Sequence, residues 1–316
     1  MRLRLVRLVV LLEILIILFL GLRVYQNKSK VSIVPIKKDK VVFPAENSLK
    51  DFYESKPNVI GVIERWEIPW LDQEHITTTT NSEGFNERFE YSLAKPRGAF
   101  RVVALGDSFT WGVFVDTPKN YPERIEDLLN RRVPCGKINK FEVINLGEPG
   151  YDIAFAKHRF DRRGAKYRPD MVLWFIRGDH FLVSASDEPF KIAFINEQLL
   201  KRTAVLGLKN LGGVGDVLGS YSLAQGEVVT RHEYSQLTEL IKSFKGKVVL
   251  ITEAKTPQRI KKLLRLATLT RDGVFLFDNL PDFERFPDGH PSTRGYEQIA
   301  DKITSFLISN RVIQCE

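Results

Sequence analysis

Three short blocks hold the residue types that acyl transfer needs. In RVVALGDSFTWG, residues 101–112, an apolar run ends at Gly106 and is followed at once by Asp107 and Ser108, which sets a serine hydroxyl at the carboxyl end of a strand. In FPDGHPSTRGYEQIADKI, residues 286–303, Asp288 and His290 stand two apart on a loop that Pro287, Gly289 and Pro291 keep out of regular structure, directly before an amphipathic helix. A serine hydroxyl is a poor nucleophile until an imidazole takes its proton, and a carboxylate on the far ring nitrogen holds that base in the right tautomer. Ser108, His290 and Asp288 are therefore candidates for nucleophile, base and orienting acid. In VINLGEPGYD, residues 143–152, another strand opens into a turn where Gly150 can offer an unencumbered backbone N–H to an oxyanion. Each block also has a plainer reading. Gly-Asp-Ser is equally a turn in which Asp or Ser bonds nearby N–H groups, Asp288 a helix-capping turn, and Gly150 a turn glycine.

Positioning these residues requires a scaffold, and the hydrophobic pattern supplies one. Arg101–Leu105, Phe141–Leu146, Met171–Ile176, Lys247–Thr252 and Val274–Phe277 are short, rich in Val, Ile and Phe, and lack polar alternation, as in parallel strands buried on both faces. Helical patterns fall between and after them at 122–131, 153–165, 232–244, 256–268 and 292–309. Alternating strand and helix implies an α/β domain with a five-stranded parallel sheet and right-handed crossovers, whose ligands gather at the carboxyl ends of the strands. The expected catalytic domain runs over 99–311. Within it, 184–230 forms a lid or insertion; its LGGVGDVLG follows no strand and has the wrong spacing for a dinucleotide fingerprint, so no cofactor is assigned.

Ahead of that domain the chain changes character twice. Residues 1–25 carry an apolar stretch, LVVLLEILIILFLGL at 8–22, that approaches the ~20 residues a membrane-spanning helix needs and lacks a small-residue cleavage site after it. This is read as an uncleaved transmembrane anchor, with an amphipathic surface helix as the alternative because Glu13 lies inside it. Residues 26–98 have no sustained helical period and read as a linker and pre-domain segment. The chain's formal charge is +8, and residues 1–40 hold nine Arg and Lys against Glu13 and Asp39, so the globular part is close to neutral. A neutral domain offers no footprint for nucleic acid, whereas a basic segment beside an apolar one suits anionic lipid headgroups. Cys135 and Cys315 have no metal-ligand spacing, and pairing and two unlinked thiols both remain open.

Taken in order, GDSFTWG, Gly150 and DGHPSTRGY resemble the blocks of the SGNH/GDSL hydrolase superfamily over about Phe100 to Phe306, and TNSEGF ahead of the first strand resembles membrane-anchored members that act on cell-surface polysaccharides. The resemblance implies a flavodoxin-like three-layer α/β/α sandwich, a Ser108–His290–Asp288 triad, an oxyanion hole from Ser108 and Gly150, no cofactor, and an extracytoplasmic acyl-ester substrate, an O-acetylated carbohydrate. One block departs from it. The family has an Asn after its third strand, and here FIRGDHF puts Asp179 in that place with His180 following. An ionised Asp179 has no proton to donate; either it is protonated by burial, or His180 or Arg177 supplies the donor, or the hole has backbone donors alone.

The same residues fit more than one activity: hydrolysis of the ester, transfer of its acyl group to a sugar hydroxyl, or, given Asp179, a non-catalytic binding module on the same fold. His75, His158 and His232 have no acid or nucleophile at helpful spacing. Trp66, Trp70, Trp111 and Trp174 are expected in the core or a pocket wall, Trp111 near enough to Ser108 to line its pocket.

Overall fold

The computed structural model describes residues 54–132, 135–181 and 233–314, Asp179 by its backbone alone. A small antiparallel sheet comes first, β1 (Ile60–Glu64) paired with β2 (His75–Thr79). The main sheet follows: β3 (Ala99–Leu105), β4 (Lys140–Asn145), β5 (Met171–Phe175), β6 (Lys247–Glu253) and β7 (Val274–Leu280), all parallel, in the spatial order β4-β3-β5-β6-β7. All five expected strands are present, and the order is that of flavodoxin-like sheets, which reverses beside the first strand of the domain.

The helices are α1 (Ser108–Trp111), α2 (Tyr121–Asn130), α3 (Ile153–Arg159), α4 (233–243), α5 (Gln258–Thr268) and α6 (Thr293–Ser309). Successive strand residues point to opposite faces, and both faces are covered. Val103, Leu105, Val172 and Trp174 pack with Leu237 and Ile241 of α4 and Leu264 of α5. Val102, Ala104, Leu173 and Phe175 pack with Ile125 of α2 and Ile299 and Ile303 of α6. Burial of each such side chain contributes about 1.5–3 kcal/mol, which is why runs without polar alternation become central strands. The helix starts are capped by short polar side chains: Asn120 accepts from Glu123 N–H, Asp152 from Phe155 N–H and Ser292 from Gly295 N–H. The cap at Ser292, two residues after His290, fixes where α6 begins.

Residues 54–98 differ from an extended linker. Their backbone and side chains are bonded into the sheet domain: Ser55 to Glu148, Asn86 to the carbonyl of Trp111, Thr77 N–H to Asp116, and Asp72 to Thr293 at the start of α6. Polar composition concealed this, because the segment's few apolar anchors, Phe85 and Tyr91 in the main core and Leu71 and Ile76 beside Phe286, are scattered among polar residues without a period. Trp66, expected in the core or a pocket wall, is 60% exposed. Cys135 is disulfide-bonded; Cys315, the chain's other cysteine, lies outside the described residues. The expected anchor at 1–25 and lid at 184–230 also lie outside them, and among the described residues no helix is long and apolar enough to cross a membrane.

Candidate active site

Ser108 is the first residue of α1, immediately past the carboxyl end of β3, and its Oγ lies 2.9 Å from His290 Nε2. His290 Nδ1 is 2.8 Å from Asp288 Oδ2, and the His290 N–H donates to Asp288 Oδ1 at 3.0 Å. The three residues form one unbroken hydrogen-bonded chain across a sequence separation of 182. Carboxylate, imidazole and hydroxyl are thus in the order that general-base activation of a serine requires.

The imidazole is held by rings as well. Phe109 and Phe114 each place a centroid 5.4 Å from that of His290, Phe114 edge-on. Phe114 has φ +67°, a left-handed conformation rarely adopted by bulky residues. Trp70, 5.0 Å away, and Phe286, 6.5 Å away, pack against its ring and keep it there. A strained backbone beside the base is consistent with a functional constraint.

Asp107 accounts for the geometry of the nucleophile. Its Oδ1 accepts the Phe109 N–H at 2.9 Å, capping α1, while Oδ2 receives His180 Nε2 at 3.1 Å and Arg177 Nη1 at 3.2 Å. Burial alone raises the Asp107 carboxyl; the bond and charge of His180, the charge of Arg177 and the Phe109 N–H outweigh it and hold the group at about 2. The turn reading of Gly-Asp-Ser is thus compatible with the nucleophile reading: Asp107 makes the turn that presents Ser108.

Neither the Ser108 N–H nor the Gly150 N–H, the two donors expected to form an oxyanion hole, has an acceptor among the described residues. Gly150 sits at φ +85° in the turn after β4. Gly147, a residue the sequence reading passed over, brings that turn against α1, since a Cβ there would lie 2.3 Å from Trp111 N. Glu148 anchors the same turn from below. It accepts the Ser55 Oγ–H at 2.7 Å and the Ser55 N–H at 3.0 Å and pairs with buried Arg159. Asn86 and Asn145 donate to the Trp111 carbonyl at 2.7 and 3.3 Å, closing the far end of α1.

The backbone of Asp179 lies in the short turn Gly178–Phe181 after β5; its side chain is outside the described residues. The two substitute donors proposed for its position are engaged elsewhere. His180 Nδ1 lies 3.3 Å from the Arg177 backbone N and its Nε2 faces Asp107, while the Arg177 guanidinium meets the same carboxylate. The physical reason is burial: Asp107 is 6% exposed and a carboxylate there must be paired. His75 and His158 are exposed, and His232 lies outside the described residues. Among the described residues no group of three or more His, Cys, Asp or Glu is gathered as a metal site would need.

Fold and site together define a class: a doubly wound α/β domain with Ser, His and Asp converging at the carboxyl ends of its strands. No family model and no curated protein matches the chain. Several solved structures are similar to it. A two-domain esterase active on acetylated mannans is 15% identical with a TM-score of 0.42, over 67% of this chain and 49% of the other, so the chain spans about half of that protein's length. The psychrotrophic esterase EstA from Pseudoalteromonas sp. is 14% identical with a TM-score of 0.42, over 66% and 97%. A carbohydrate esterase whose active site displays divergent catalytic and non-catalytic binding functions is 10% identical with a TM-score of 0.43, over 82% and 85%. At these TM-scores the chemistry of the site rests on its own distances.

Proposed function

We propose that this chain is a serine esterase of the SGNH/GDSL type that removes acyl groups, acetyl foremost, from an extracytoplasmic carbohydrate. The observation that carries the reading is the continuous Asp288–His290–Ser108 hydrogen-bond chain, at 2.8 and 2.9 Å. Ser108 Oγ attacks the ester carbonyl as His290 Nε2 takes its proton, and the negative charge forms beside the Ser108 and Gly150 N–H groups. The tetrahedral intermediate collapses, His290 returns the proton to the leaving sugar oxygen, and an acyl-Ser108 remains. Water, deprotonated by the same imidazole, then releases the carboxylic acid. Asp288 orients the ring and stabilises the imidazolium.

Hydrogen-bond donors of this kind supply several kcal/mol each in acyl transfer, so two backbone N–H groups support turnover without a side-chain donor at Asp179. The carbohydrate substrate and the anchor at 1–25 are carried by the resemblance of TNSEGF and by the apolar N-terminus. The Cys135 disulfide supports an oxidising compartment for the domain.

The test is acetate release by the full-length chain from an activated acetyl ester and from an O-acetylated polysaccharide, with Ser108→Ala alongside. Release that depends on Ser108 supports the esterase. Consumption of donor ester with the acetyl group recovered on an added sugar acceptor would assign a transferase. No Ser108-dependent consumption of either would refute both readings.

A further inference from the structure

We infer that Arg285, anchored by Glu253, is a positioning residue for the His290–Asp288 pair: it holds by its oxygen the peptide group that Asp288 holds by its nitrogen. This rests on the serine-esterase reading above. The group in question joins Gly289 to His290. Its carbonyl oxygen accepts Arg285 Nη1–H at 2.8 Å, and its N–H donates to Asp288 Oδ1 at 3.0 Å. A cation at the oxygen end and a carboxylate at the N–H end both act in the favourable sense of the peptide dipole, so each bond polarises the group and strengthens the other. The second Asp288 oxygen faces His290 Nδ1, so the orienting carboxylate and Arg285 are coupled through a single peptide.

That peptide needs such a restraint. Gly289 has φ +93°, and a Cβ built on it would meet nothing within 4 Å. Neither a side chain nor a packed neighbour at that residue opposes rotation of the plane, and glycine allows it at little steric cost. Rotation would withdraw the N–H from Asp288 Oδ1 and so loosen the carboxylate whose other oxygen faces His290 Nδ1.

Arg285 is itself built into place. Its Nη2 pairs with Glu253, whose side chain is 9% exposed, and its guanidinium lies 4.1 Å from the Phe283 ring centroid. Glu253 is aimed there by an irregularity in the sheet. Ile251 on β6 is opposite Phe277 on β7, but Glu253 is opposite Leu280, so the register slips by one residue at the carboxyl end, where such bulges re-aim side chains. Lys255 also approaches Glu253, at 3.3 Å, and leaves it a counter-ion when Arg285 is replaced.

The experiment compares the full-length wild type with Arg285→Met, Arg285→Lys, Glu253→Gln, the Arg285→Met/Glu253→Gln double variant and Ser108→Ala. Initial rates on an activated acetyl ester are measured with thermal midpoints and with the low-field proton resonance of His290 Nδ1–H. Arg285→Met is expected to lower kcat by about 10- to 100-fold, the scale of a small misplacement of a reacting group, with KM held within about two-fold. Lysine, which can donate to Gly289 or meet Glu253 but lacks the fork to do both as arginine does, should recover part of the loss. The double variant should be no slower than Arg285→Met, because Glu253 acts through Arg285. The low-field resonance should weaken in Arg285→Met. Wild-type kcat and an undiminished resonance in Arg285→Met would overturn the inference, as would equal losses for Met and Lys that track a lowered midpoint. Should Arg285→Met not fold, the Lys and Gln variants decide: both at wild-type kcat and resonance overturn the inference, and reductions in both at unchanged midpoints support it. A wild type no faster than Ser108→Ala would instead sink the esterase reading, and the resonance alone would then judge the strut.

Discussion

Replacing Asp288 by Asn tests the triad most sharply, because both carboxylate oxygens are in use. Oδ2 takes the Nδ1–H of His290 and Oδ1 takes the His290 backbone N–H. An Asn has one acceptor and one donor to offer the same two N–H groups. If its oxygen stays on the backbone N–H, its NH2 faces Nδ1 and forces the ring proton onto Nε2, where it points at Ser108 and cannot accept a proton. If the amide turns over, Nδ1 is satisfied but the backbone N–H meets a donor and the loop is pushed from its place. Either way kcat should fall by roughly 10^3- to 10^4-fold, about 4–5 kcal/mol in the barrier. Asp288→Ala makes the contrast. The Asp288 side chain is 30% exposed, so water can enter and accept the Nδ1–H without imposing the wrong tautomer. The Ala variant should therefore keep more activity than the Asn variant, by about ten-fold or more. The assay is initial rate against substrate concentration on an activated acetyl ester near neutral pH, with thermal midpoints to show that the fold persists. Wild-type turnover in Asp288→Asn, or an Ala variant slower than the Asn variant, would refute the tautomer argument.

Three further outcomes are expected. The depression of Asp107 from 3.8 to about 2 corresponds to about 2–3 kcal/mol that is present above pH 3.8 and is lost as pH falls through 2, so Asp107→Asn should lower the neutral-pH thermal midpoint by roughly 5–10 °C. Burial, with the charge of Glu123 and against the Val143 N–H, the Tyr91 hydroxyl and Lys140, pushes Glu126 from 4.5 up to about 7. Its stabilising contribution is full below pH 4.5 and is lost as pH rises through 7. Wild type should therefore lose about 2–3 kcal/mol relative to Glu126→Gln between pH 5 and 8, read from denaturant unfolding at each pH. Gly147→Ala puts a methyl carbon 2.3 Å from Trp111 N, a backbone atom that cannot swing aside, and should cost about 1–3 kcal/mol in stability while separating the oxyanion turn from α1 and lowering kcat.

Much of the scaffold follows from local pattern. Val102–Leu105 and Met171–Phe175 are apolar without alternation, and only a strand covered on both faces accommodates such a run. The helices follow from the same local pattern, and the starts expected at 122, 153, 256 and 292 fall within two residues of those observed. Ser108 and the Asp288–His290 pair were readable for the same reason: each sits in a short block whose turn residues fix its place at a strand end or before a helix.

What the sequence by itself determined is therefore the set of elements and the reactive groups carried on them. Tertiary structure alone decided their partners. That Asn86 closes α1, that Ser55 and Arg159 brace the turn after β4 through Glu148, and that His180 and Arg177 turn to Asp107 all depend on pairings across 11 to 93 residues. The strut from Glu253 through Arg285 to Gly289 depends likewise on a register slip between two strands. Helix and strand periodicity is a property of consecutive residues and is written along the chain. A buried charge, by contrast, takes whichever partner the packed layers bring within about 3 Å, and that choice exists only once the layers have closed.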